Sequence, residues 1–240
     1  VTITGTNGGQ SSDTSNVASY GPVGSSAVQA GDLVTVALLS TKGSSPDLAT
    51  PSCSSAGSPV FSLRGDLLFG SIASPIKRLS LWTMVPTLSE TITFSFDFGG
   101  NVQTGIMWAM RRYRGGVGST ISVRGAAATN RADSGTSITA TLGALADANS
   151  VAYGVLGGAL ASGTIFTPGS GFTKQQDPGG MSTPSARIAT EDQTGTDNTV
   201  DMSHDAAGNA LAIIALELIE TAGGIVLPPI LHTYYERMRT

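Results

Sequence analysis

Hydrophobic and polar residues alternate most cleanly over Glu90 to Phe98, ETITFSFDF. Ile92, Phe94, Phe96 and Phe98 fall on one side; Thr91, Thr93, Ser95 and Asp97 fall on the other. A period of two is that of a half-buried β-strand, so the segment is expected to place its aromatic side chains on a core. Lys77 to Val85 (KRLSLWTMV) reads as a second strand. Leu33 to Leu39 (LVTVALL), Ile106 to Met110 (IMWAM) and Ala210 to Leu218 (ALAIIALEL) are nearly continuous apolar runs. Such runs fit strands buried on both faces, although periodicity alone does not separate them from short helices. Ile121 to Arg124 and Ser137 to Leu142 are further strand candidates. Gly and Pro recur about every ten residues, as they do between the strands of sandwiches and barrels. The predicted class is all-β: an antiparallel β-sandwich, jelly-roll-like, with an extended C-terminal arm.

The order of segments repeats. Gly31-Asp32 and LVTVALL, a long loop, RLSLWTM, TITFSFDF, Gly100-Asn101 and GIMWAM are followed later by a matching series. That series is Asn149-Ser150 and VAYGVLG, a long loop, ARIATED, NTVDMSHD, Gly208-Asn209 and ALAIIALEL. The two long loops, Gly43 to Pro59 and Gly163 to Pro184, are both rich in Gly, Pro and Ser. Two similar halves, about 28–114 and 148–220, are therefore expected, fused into one unit spanning 1–222. Gly115 to Leu145, between the halves, carries strand candidates of its own and is too structured for a linker.

The tail differs from the rest. Gly223-Gly224 allows a change of direction, and Pro228-Pro229 favours an extended run over a helix or a central strand. Leu227, Pro228, Pro229, Ile230, Leu231, Tyr234, Tyr235 and Arg237 are the expected interface residues. So apolar a tail is expected to pack on something, either its own sandwich or a neighbouring subunit.

Composition narrows the choice of partners. Only 12% of the 240 residues are charged while 40% are hydrophobic, against about 25% charged in an ordinary soluble domain. The polar surface must then come from Ser, Thr, Asn and Gly, which suits a chain docked permanently in an assembly. A net charge of −4 gives no general attraction to nucleic acid. Arg111, Arg112 and Arg114, the one tight basic cluster, read as a strand end or as structural ion pairs. No run of 18 apolar residues is present, so neither nucleic acid nor membrane is expected as a partner. The first residues, VTITGTNGG, lack the charged and apolar regions of a signal peptide.

Candidate chemistry is sparse. Cys53, the single cysteine, lies in the Thr50 to Pro59 loop and has only His204 and His232 as possible catalytic partners. His204 ends an alternating strand and reads as a rim residue. No metal-ligand spacing is present. Glu191, Asp192, Asp197, Asp201 and Asp205 crowd one stretch, as calcium ligands or as outward positions on strands. Glu90 and Asp97 flank one strand and are too far apart for a retaining glycosidase pair. Arg64-Gly65-Asp66 matches an adhesion tripeptide, a match that three residues make by chance. No enzymatic activity, cofactor or metal is expected.

Three phrases carry a resemblance: Ala30-Gly31-Asp32-Leu33-Val34, Thr91-Ile92-Thr93-Phe94-Ser95 and Tyr113-Arg114-Gly115. Their companions in the second half are Ala148-Asn149-Ser150-Val151-Ala152 and Gly171-Phe172-Thr173. Over about residues 28–220 the chain resembles β-sandwich structural proteins of tailed-bacteriophage virions. The resemblance implies a capsid decoration, head-fibre or tail component located in the virion, with itself and other virion proteins as partners and no catalytic residues. The alternative is a carbohydrate-binding or receptor-binding sandwich module meeting a host-surface glycan. That reading requires exposed aromatic side chains, and Trp82 and Trp108 both fall in predicted strands.

Overall fold

In a computed structural model that describes residues 2–42, 51–55, 60–70, 77–206 and 209–222, the alternating segment forms a strand over Glu90–Asp97. Ile92, Phe94 and Phe96 are at most 1% exposed. Every described element is a β-strand, and all pairings are antiparallel. The first half contains β1 (Thr4–Asp13), β2 (Ser19–Val28), β3 (Leu33–Thr41), β4 (Ser52–Ser55), β5 (Ser62–Phe69), β6 (Lys77–Met84), β7 (Glu90–Asp97) and β8 (Gly105–Arg114). The second contains β9 (Thr120–Ala132), β10 (Ser137–Thr141), β11 (Val151–Gly158), β12 (Phe166–Pro168), β13 (Thr173–Gln176), β14 (Gly180–Ser182), β15 (Ser185–Thr194), β16 (Thr199–His204) and β17 (Leu211–Thr221).

The first half has a five-stranded sheet, β1-β8-β3-β6-β5, facing a three-stranded sheet, β2-β7-β4. The second half has β9-β17-β11-β15-β13, with β14 attached to β15, facing β10-β16-β12. Strand for strand the two orders coincide, β1 answering to β9 and β8 to β17; only β14 is additional. The repeat is therefore longer than its legible phrases. It begins at β1 rather than near residue 28, and the segment between the halves supplies the first two strands of the second.

The two larger sheets pack face to face, giving four layers and three cores. Between the larger sheets lie Leu33, Leu39, Leu79, Leu81 and Tyr113 from the first half, with Tyr153, Val155, Ile188, Ile214 and Leu216 from the second. The first outer core joins Val34, Val36, Trp82 and Trp108 to Phe94, Phe96 and Phe98. The second joins Leu156, Ala189 and Ile213 to Val200, Met202 and Phe166. This layering explains the unbroken apolar runs. Every residue of β3, β6 and β11 is buried because both faces are covered. The outer strands β7, β10 and β16 alternate because one face meets solvent.

Many contacts across the middle layer come in equivalent pairs: β3 with β15 and β11 with β6, β8 with β15 and β17 with β6, β5 with β9 and β13 with β1. These approximate an isologous, two-fold interface within one chain, while the contacts of β5 with β17 and of β9 with β3 and β8 lack counterparts of that extent. Both lateral seams are tied. At one, Asn7 Nδ2 donates to Gln175 O (2.8 Å), Gln176 Nε2 to Gly9 O (2.7 Å) and the Asp177 amide to Gln10 Oε1 (2.9 Å). At the other, Arg131 Nη1 donates to Leu68 O (3.1 Å). Side chains thus cover sheet edges that would otherwise template pairing with another chain.

Candidate functional site

Arg111 on β8 and Asp192 on β15 point into the middle layer from opposite halves. Arg111 Nε donates to Asp192 Oδ2 at 2.8 Å, with side chains 6% and 11% exposed. Tyr113 Oη donates to the same oxygen at 2.8 Å, Gln175 Nε2 to Asp192 Oδ1 at 2.6 Å, and Arg111 Nη1 to Asn7 Oδ1. Tyr113 also meets Tyr153 edge to face, ring centres 5.9 Å apart. Burial, with Asp192 close by, drives the Tyr113 hydroxyl well above its ordinary value, so it stays a donor. This network is a joint that fixes the register of the halves. It also makes Arg111 a structural ion pair; Arg112 and Arg114, outside the network, both meet Asp32.

A second motif occurs once per half. Arg78 on β6 is paired with Asp66, and Arg187 at the equivalent place on β15 with Asp177 (2.8 Å). Arg64-Gly65-Asp66 is accordingly embedded in β5. Arg64 Nε donates to Thr83 Oγ1, and Asp66 is held by Arg78 and Ser80.

The acidic stretch is dispersed by the strands. Asp192 belongs to the joint, Asp197 accepts the Thr199 amide and Asp205 accepts the Ile165 amide. Asp201 is partly buried, and Glu191 is fully buried. Glu191 and Asp192 are the exceptions to an outward reading, because β15 is covered on both faces at that point. Burial pushes the Glu191 carboxyl up from 4.5 to about 8.

Three expectations are corrected. His204 is not at a rim: it is 6% exposed, lies edge-on to Phe166 and has its pKa lowered by burial. Cys53 is on β4, opposite Phe96, rather than in a loop, and burial raises its thiol pKa. The second long loop contains β12, β13 and β14. Trp82 and Trp108 are 3% and 6% exposed. Every described Phe, Tyr and Trp is buried except half-buried Phe61.

At the end where β17 finishes, each half has a small cleft. One, of about 210 Å³, lies between Gln29–Asp32 and Arg114–Ser119; the other, of about 160 Å³, is lined by Asp147, Asn149, Ser150, Ile219, Glu220 and Ala222. Gly31, at a φ of 85°, is required there: a Cβ would lie 2.7 Å from Ser119 O. Glu220 Oε1 accepts the Gly116 amide at 2.6 Å, linking the ends of β8 and β17. From this end the chain continues to the expected interface residues Leu227, Pro228, Pro229, Ile230, Leu231, Tyr234, Tyr235 and Arg237, which lie outside the described residues. The chain matches no protein-family model, no curated protein and no solved structure, so its reading rests on its own geometry.

Proposed function

We propose that the protein is a structural component of a bacteriophage virion, a capsid decoration or a tail or fibre part, and that it acts by assembling with itself and with other virion proteins. The observation that carries this reading is where the aromatic and charged groups are used. The aromatics fill the three cores, and the buried ion pairs join strands and halves. The result is a rigid four-layer block. The strand order of each half, β1-β8-β3-β6 facing β2-β7-β4, supports a jelly-roll-like reading in which the fifth strand has moved to the larger sheet.

The contact surface we assign is the segment after Ala222, with Leu227, Ile230, Leu231, Tyr234 and Tyr235 as anchors and Arg237 at the rim. The glycan-binding alternative needs an aromatic platform, and no described aromatic side chain offers one. Sedimentation velocity on the full chain and on a chain ending at Ala222, with glycan binding measured in parallel, tests the proposal. The full chain should self-associate or bind particles, and the shortened chain should remain monomeric with the same melting temperature. Equal association of both chains, or saturable glycan binding, would overturn it.

A further inference from the structure

Glu191 stands where the first half has Trp82. Each is in register with a residue on its half's central strand, Trp82 with Val36 and Glu191 with Gly154. Trp82 fills its space with an indole packed on Phe96, ring centres 5.9 Å apart. Glu191 places a carboxyl in the matching space, between β15 and the outer sheet of the second half. A Cβ on Gly154 would lie 2.4 Å from Val200 Cγ1 and 3.5 Å from Glu191 Oε1, so glycine there makes room for Val200, which packs beside the carboxyl. Glu191 Oε2 accepts the Gly169 amide at 3.1 Å, while buried Oε1 has no hydrogen-bond partner.

We propose that Glu191 is a pH-dependent latch for the outer sheet of the second half: neutral, it packs as part of the core, and ionised, it loosens β10, β12 and β16 while the first half stays closed.

Burial and two neighbouring carboxylates favour the neutral form of Glu191, and outweigh the Gly169 amide, which favours the ionised one. Asp201 on β16 and Asp192 on its own strand both disfavour a further negative charge. Lys174, in register with Glu191 on β13, has its ammonium on Phe166 O and Asp177 (3.1 and 3.2 Å). β11 presents Gly154, and the β12–β13 turn presents only the Gly169 amide. An unpartnered ionised oxygen in an apolar layer is costly. With the folded-state pKa raised from 4.5 to about 8, the group's stabilising contribution is complete below about pH 4.5. It is lost as pH rises through about 8.

Amide hydrogen exchange on the full chain at pH 6.5 and pH 9, corrected for the intrinsic rate, tests this. Protection of β10 and β16 should fall about tenfold or more relative to β2 and β7, and Glu191→Gln should abolish the difference. Fluorescence should stay constant, since Trp82 and Trp108 both lie in the first outer core. Equal behaviour of the two outer sheets, or a difference that persists in Glu191→Gln, would overturn the latch. Should that variant not fold, a carbon-13 NMR titration of the wild-type side chain decides: a midpoint at or above pH 7 is required, and a lower one overturns the proposal.

Discussion

A methyl group on Gly65 would be a wedge between the halves. Gly65 lies on β5, and its Cβ would sit 2.8 Å from Cγ2, 3.2 Å from Cδ1 and 3.4 Å from Cγ1 of Ile214 on β17. Carbon atoms in contact prefer about 3.5–4.0 Å, so β5 or Ile214 must move by about 0.7 Å or more. Ile214 is fully buried in the middle core, and such overpacking costs about 1–3 kcal/mol. Ile214→Ala alone removes all three contacting carbons and should cost about 2–5 kcal/mol. Together the new methyl enters the vacated space, so the double variant should be more stable than the sum of the singles implies, by about 1 kcal/mol or more. Urea unfolding followed by far-ultraviolet circular dichroism gives the cycle, with tryptophan fluorescence reporting on the first half. Coupling under about 0.3 kcal/mol would mean that the halves do not meet as described.

Asp192→Ala leaves Arg111 buried without its carboxylate and should cost about 3 kcal/mol or more in urea unfolding; a loss under about 1 kcal/mol would contradict a buried joint. Phe94→Ala removes a ring packed on Phe61, Phe96 and Trp108 at 5.1–6.5 Å and should cost about 3–5 kcal/mol; near-zero loss would place that face in solvent. Cys53, whose thiol pKa is raised by burial, should react with a disulfide reagent at pH 8 about a hundredfold more slowly than free cysteine. A comparable rate would show that β4 does not lie on the core.

What was legible in the sequence follows from which neighbours fix each residue. β7 announces itself because one face meets solvent and the other meets Trp82 and Trp108. The apolar runs identify doubly buried strands, and the cause is the four-layer stack. β1, TGTNGGQSSD, has no apolar alternation, because backbone pairing to β8 and the Asn7–Gln10 seam hold it. β4, β12 and β14 are too short to show a period amid Gly, Pro and Ser. The phrases RLSLWTM and ARIATED, matched end to end, set Arg78 beside Ala186 and Trp82 beside Thr190; only the strand register shifts them by one residue, to Arg187 and Glu191. The Arg111–Asp192 joint left no local signal, because its partners are 81 residues apart and meet only across the middle layer.

The most direct measurement is differential scanning calorimetry of the full chain near pH 6, where Glu191 is neutral. Two halves sharing one middle core should melt in a single transition with a calorimetric to van't Hoff enthalpy ratio of about 1. Two resolved transitions, or a ratio of about 2, would show two independent sandwiches and contradict the account.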